Sequence, residues 1–96
     1  MTIFSNKQLA QTFSSLSHPK RVDIFNTMLE NGRSAVSFGD IQKQTGIPPS
    51  TLSHHLKEME LGQILIKEPD GTSTKLRLDL DFLQKVLSQL LTNCCK

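Results

Sequence analysis

The stretch from Asp40 to Leu65, DIQKQTGIPPSTLSHHLKEMELGQIL, constrains the fold more than any other part of the chain. A first helical segment has Ile41 as its inward residue and stops at Thr45-Gly46. Pro48-Pro49 then sets a stiff entry to a second segment, with Pro49 at or near the first turn, where a missing N–H leaves no bond unmade. The second segment carries Leu52, Leu56, Met59 and Leu61 as its buried set. Its other face offers Ser50, Thr51, Ser53, His54 and Lys57, which are compact polar and cationic groups. A helix with an apolar back and such a front, joined to a preceding helix by a tight turn, suits insertion into the major groove of duplex DNA.

The remaining segments frame this pair. Ser5 caps a first helix to about Ser15, with Leu9, Phe13 and Leu16 on one face. Ser17-His18-Pro19 starts the next helix. Its stripe is Val22, Ile24, Phe25, Met28 and Leu29, and Asn31-Gly32 ends it. Residues from Gly32 to Val36 read as a loop, and Ser37 with Asp40 resembles a capping box for the third helix. Gly62 closes the fourth. Gln63 to Lys67 reads as a strand, Pro69-Asp70-Gly71 as a turn, and Thr74 to Leu80 as the returning strand. Leu76, Leu78 and Leu80 fall on one face of that strand, and Lys75, Arg77 and Asp79 on the other. Asp81 with Gln84 caps a last helix whose apolar set is Phe82, Leu83, Val86, Leu87, Leu90 and Leu91.

The expected fold is therefore mostly α with a small β-hairpin, a winged helix-turn-helix in the order α-α-α-α-β-β-α. It occupies residues 1–96 as a single domain. The last helix is apolar over a broad face that so small a domain cannot cover. A homodimer through the first and last helices is expected to cover it.

Composition narrows the partners. The chain has no Trp and no Tyr, which argues against an aromatic platform for single-stranded nucleic acid. The net charge is +2, so bulk electrostatics contribute little and a DNA reading rests on pattern. Between Ser50 and Arg77 the cations Lys57, Lys67, Lys75 and Arg77 are matched by Glu58, Glu60, Glu68 and Asp70. No apolar run is long enough to span a bilayer and the N-terminus lacks a signal-peptide pattern, so a cytoplasmic location is expected. Adjacent cysteines at Cys94 and Cys95 do not staple a fold. No Gly-rich loop accompanies the histidines His18, His54 and His55, and a chain this small leaves little room for a cleft. An enzyme is not expected. A winged helix used only for protein contacts is a rival that steep salt dependence of DNA binding would separate.

LSHPKRVDIFNTMLENG, FGDIQKQTGIPPSTLSHHLKEMELGQIL and the hairpin together resemble the ArsR/SmtB family of bacterial transcriptional repressors over nearly the whole chain. The most specific part is IPPSTLSHHLKEME. The resemblance implies a dimeric repressor on an inverted-repeat operator in double-stranded DNA. It also implies base-edge or phosphate contacts from Ser50, Thr51, Ser53, His54 and His55, and backbone contacts from Lys57, Lys75 and Arg77. Other readings stay open: Ser50 and Thr51 as first-turn residues capping free amides, His55 as a packed residue, Lys57 as a solvated lysine, and Lys75 with Arg77 as gatekeepers of a strand edge.

The sensor residues depart from the family pattern. The region SAVSFGDI carries neither thiol nor imidazole, so the family's Cys-x-Cys site is absent. The last helix offers Asp79 and Asp81 but no His for a zinc site. LLTNCC resembles an arsenic-responsive subgroup whose last helix ends in a Cys-Cys pair. There a third cysteine follows, whereas here Lys96 does. Trivalent arsenic or antimony, As(III) or Sb(III), is soft and takes thiolate ligands, so Cys94 and Cys95 are the candidate inducer site. Adjacent helical side chains diverge by ~100°, and arsenic favours three sulfurs. A third would come from the other subunit or from a cellular thiol. Thiol oxidation at the same pair, or no inducer at all, remains an alternative.

Overall fold

A computed structural model describes residues 3–94. The elements are α1 (Asn6–Ser14), α2 (Pro19–Leu29), β1 (Val36–Ser37), α3 (Phe38–Thr45), α4 (Pro49–Leu61), β2 (Leu65–Asp70), β3 (Ser73–Leu78) and α5 (Leu80–Cys94).

Local chemistry places most of these boundaries. Ser5 Oγ accepts from the Gln8 N–H, and the Gln8 side chain returns the bond to the Ser5 N–H, a complete capping box. His18 caps α2 with its ring, and Pro19 occupies the first turn. Ser37 Oγ accepts from the Asp40 N–H at the start of α3. Gly46 ends α3 at φ 71°, a left-handed conformation that glycine adopts without penalty. Pro49 opens α4, as its ring predicts.

The last helix starts differently from expectation. Asp79 Oδ1, rather than Asp81, accepts the Phe82 N–H. Leu80, expected on the returning strand, already lies in α5. The hairpin is shifted by about a turn: β2 runs on through Pro69 to Asp70, and Asp70 pairs with Ser73 across Gly71-Thr72. Proline is tolerated there because β2 is an edge strand in a sheet of order β1-β3-β2.

The segment before α3 is not all loop. Val36 pairs with Leu76 and Ser37 with Lys75, so β1 adds a third antiparallel strand to the hairpin. Val36 is buried, and this short ladder ties the hairpin to the start of α3.

Ile24, Met28, Ile41, Ile47, Leu52, Leu56, Met59, Ile64, Leu65, Leu76 and Leu78 pack into one core with Val36. Three residues expected in the buried stripes of α2 and α4 lie outside it. Leu61 is 50% exposed. It stands nine residues after Leu52, two and a half helical turns, and so on the opposite side. Val22 and Leu29 are exposed because they lie across α2 from Ile24.

The α1 segment docks through a hydroxyl as well as through the half-buried Leu9 and Leu16. Thr12 in α1 and Ser15 at its C-cap are buried, while Phe13 is exposed. Thr12 Oγ1 donates to the Gly62 carbonyl at 3.0 Å. Gly62 has an ordinary φ of −77°, and the left-handed position after α4 belongs to Gln63 at φ 65°. Glycine is needed at 62 for space, since a Cβ there would stand 2.2 Å from Ser15 Oγ.

Gln89, buried on α5, holds the N-terminal segment at both of its amide atoms. Its Oε1 accepts from the N–H groups of Ile3 and Phe4 at 3.0 and 2.9 Å, and its Nε2 donates to the Phe4 carbonyl at 3.0 Å. Phe4 meets Phe82 edge to face, with ring centroids 5.2 Å apart. Past this clamp, Leu87 and Leu91 of α5 and Ile3 remain exposed, at 43%, 65% and 66%.

Candidate nucleic-acid interface

α4 separates its residues into opposed stripes. Leu52, His55, Leu56 and Met59, spaced i, i+3, i+4, i+7, are buried. Ser50, Ser53, His54 and Lys57 have the same spacing and are exposed. Thr51 lies between the stripes and is half-buried. Two consecutive proline rings at Pro48-Pro49 fix the approach of the chain, so the exposed stripe begins at the second helical residue.

The hairpin flanks this stripe. Ser53 and Leu56 share a cleft of about 180 Å³ with Lys67, Thr74 and Leu76 of the hairpin and Phe38 of α3. The wing therefore stands beside the exposed front of α4, not behind it.

Charge along this surface is uneven. Arg77 Nε donates to Glu68 Oε1 across the hairpin, which commits its guanidinium within the sheet. Lys67 reaches Glu60 at 3.6 Å, tying β2 to the end of α4. Lys75 is half-buried and Lys57 exposed, and among the described residues neither holds an ion pair. Such surface pairs contribute ~1 kcal/mol or less to stability. Their consequence here is that two of the four cations counted from the sequence are already neutralised.

His55 departs from the expectation of a DNA contact. It is 5% exposed and completes the buried stripe of α4. Its Nδ1 accepts from Arg21 Nε of α2 at 3.0 Å. Its ring lies 4.7 Å from that of His18 and 5.8 Å from that of His54, centroid to centroid. Burial, followed by the electrostatic influence of His18, Arg21, His54 and Lys20, pushes its pKa below the usual 6.5. His55 is thus a neutral acceptor that seats the helix. Sequence reasoning did not foresee this cluster, although HPKR and HH both stand in the chain. Its parts come from separate helices, and only the packing of α2 on α4 joins them.

Cys94 is the last residue of α5, and Cys95 lies outside the described residues, so the geometry of the thiol pair is not part of this structure. Among the described residues no group of three or more His, Cys, Asp or Glu side chains is arranged to hold a metal ion. No helix among them is long and apolar enough to cross a membrane.

Residues 16–68 match a protein family described as "Helix-turn-helix domain". No curated protein sequence matches the chain. Solved structures do. An "ArsR-like Transcriptional Regulator" from Rhodococcus sp. RHA1 superposes with a TM-score of 0.80 at 20% identity, over 93% of this chain and 81% of that one. A homodimeric winged helix-turn-helix DNA-binding domain from Mycobacterium bovis, described as a possible ArsR-family transcriptional regulator, gives 0.72 at 20% identity, over 97% and 91%. The transcriptional repressor BigR from Xylella fastidiosa gives 0.66 at 26% identity, over 85% and 82%. The shared fold is the winged helix-turn-helix, and these relatives are described as regulators or DNA-binding domains, none as an enzyme.

Proposed function

The chain belongs to the helix-turn-helix domain family, and from that premise we propose that it is a dimeric winged-helix transcriptional regulator of the ArsR type, a repressor that binds double-stranded operator DNA. The observation that carries this reading is the division of α4: a buried stripe holds the helix while Ser50, Ser53, His54 and Lys57 face outward beside the hairpin. The outward groups are short, so the helix backbone can approach base edges closely. Ser50, Ser53 and His54 contact bases. Thr51, at the first turn, contacts phosphate. Lys57 and Lys75 supply phosphate contacts, and Arg77, bound to Glu68, stiffens the wing. His55 positions the helix from behind.

The exposed Leu87 and Leu91 of α5, with Ile3 clamped next to that helix by Gln89, support a second copy as the cover. The homodimeric Mycobacterium bovis structure supports a homodimer here as well. A two-fold dimer would set its recognition helices in successive major grooves of an inverted repeat, with half-sites about 10–10.5 base pairs apart.

The finer reading concerns release. Cys94 ends the helix proposed for the dimer contact and Cys95 follows it in sequence, and two thiolates per chain are fitting donors for As(III) or Sb(III). A ligand there would shift the two subunits and weaken DNA binding, a coupling typically of ~1–3 kcal/mol.

The test uses a duplex enriched by the protein from a random pool, followed by fluorescence anisotropy. The wild type should bind it with affinity that falls steeply with salt. The variant Ser53→Glu/His54→Glu should lose binding while keeping the wild-type circular dichroism spectrum. Enrichment of no duplex, or full binding by that variant, refutes the proposal. Adding arsenite or peroxide to the wild type and to Cys94→Ser/Cys95→Ser then separates the readings of release. Release of both proteins alike, or of neither, excludes the thiol pair as sensor.

A further inference from the structure

We infer that Arg21 and His55 form a positioning pair that locks the recognition helix α4 to α2 only while His55 is neutral, so that sequence discrimination is lost once acid protonates His55. The inference rests on the proposed DNA-binding role of α4. Its geometry stands apart from that role.

Arg21 Nε donates to His55 Nδ1 at 3.0 Å, and an imidazole nitrogen accepts only when it carries no proton. His55 is thereby held as the tautomer protonated at Nε2. The same guanidinium reaches the Ser14 carbonyl at 3.4 Å through Nη1, so one side chain joins α1, α2 and α4. Among the described residues this is the only side-chain to side-chain hydrogen bond between α2 and α4. His18 is held in the same way, with its Nδ1 accepting from the Lys20 N–H at 3.1 Å.

The titratable and charged groups facing His55 are His18, Lys20 and Arg21 from α2 and His54 from α4 itself. Lys20 and Arg21 are cationic, and no carboxylate stands among the four. A proton added at Nδ1 would turn the acceptor into a donor aimed at Arg21 and place a cation among these neighbours. The pair would open. Protonation also adds positive charge near the DNA face, which strengthens sequence-independent attraction to phosphate. The expected signature is therefore not weaker binding as such but a smaller ratio between affinity for the enriched duplex and for random duplex.

The test measures that ratio between about pH 7.5, where histidine is neutral, and the pH at which the His55 ring signal reaches its acid plateau, for wild type, His55→Gln and Arg21→Met. Glutamine offers an acceptor oxygen and does not titrate. The wild-type ratio should fall about tenfold, the equivalent of losing one hydrogen bond to a charged group. His55→Gln, whatever its level, should vary less than about twofold, a range too small to reflect a lost bond. Arg21→Met should give a low ratio with a flat profile. A flat wild-type ratio, or a His55→Gln ratio falling as steeply as the wild type, overturns the inference.

A second measurement needs no DNA. Nitrogen-15 spectra of the histidine rings in the free full chain should show His55 as the Nε2–H tautomer, titrating below 6.5. Amide exchange across Leu56–Met59 should accelerate in acid in the wild type but not in His55→Gln. An Nδ1–H tautomer, or titration above 6.5, refutes the pair even if DNA binding is confirmed. The expected spectra in a protein that binds no duplex would refute the functional reading and leave the pair standing.

Discussion

Gly62→Ala isolates the contact that docks α1 on the end of α4. The backbone at 62 is no obstacle, since φ −77° suits alanine. The new Cβ would stand 2.2 Å from Ser15 Oγ, 2.4 Å from Ser15 Cβ and 3.3 Å from the Gln11 carbonyl oxygen. Rotating Ser15 relieves the first approach but not the second, because a Cβ moves only with its backbone. Reaching an ordinary 3.4 Å separation from Ser15 Cβ requires the end of α1 to retreat by about 1 Å. That movement breaks the Thr12 Oγ1 bond to the Gly62 carbonyl and disturbs Ser15 Oγ on the Thr12 carbonyl. Overpacking costs ~1–3 kcal/mol, and a hydrogen bond lost with it adds ~1 kcal/mol. The expected loss is about 2–4 kcal/mol by urea denaturation, against a total of ~5–14 kcal/mol for a domain of this size. Ser15→Gly removes both clashing atoms, so the double variant should recover at least about 1 kcal/mol relative to additivity. A Gly62→Ala protein within about 0.5 kcal/mol of wild type, the range of an ordinary surface change, would refute this account of the α1–α4 contact.

Further outcomes follow from the same contacts. Leu87→Glu/Leu91→Glu should convert a dimer to a folded monomer in sedimentation, because the exposed apolar edge of α5 would then carry repelling charges. Gln89→Leu should cost about 2–3 kcal/mol in urea denaturation, since it strands the N–H groups of Ile3 and Phe4 and the Phe4 carbonyl. Gln63→Gly should stabilise by about 1 kcal/mol, because it relieves a left-handed φ of 65° in a residue with a Cβ. Because the folded-state pKa of His55 lies below 6.5, its contribution to stability is complete above pH 6.5 and is lost as pH falls below that value. The urea midpoint of wild type should therefore drop more in acid than that of His55→Gln.

Much of the architecture was legible because the deciding interactions are local. Ser5, His18-Pro19, Ser37, Gly46 and Pro49 each terminate or start a helix through atoms within four residues, and each stands where the sequence placed it. The exposed stripe of α4 was legible for the same reason. What escaped depends on residues far apart in the chain. Val36 becomes a strand only because Leu76 arrives beside it. Asp79 wins the cap over Asp81 because β3 ends at Leu78 and delivers Asp79 to the free amide of Phe82. His55 is polar by type, and its burial follows from Arg21 supplying a partner across the α2–α4 contact. Arg77 looked like a free wing cation until the register of β2 on β3 set it opposite Ile66, two residues from Glu68 on the same face. Leu61 is the instructive error of phase: an apolar residue two and a half turns beyond Leu52 faces away from the core.

The central claim is that the front of α4 and the hairpin meet duplex DNA. Amide chemical-shift mapping of the nitrogen-15-labelled protein during titration with the enriched duplex tests it most directly. The account predicts that shifts concentrate on Ser50–Lys57 and on the hairpin around Lys75, with smaller ones at His18–Arg21. Shifts confined to α5, or no shifts at an affinity where binding is saturated, would contradict it.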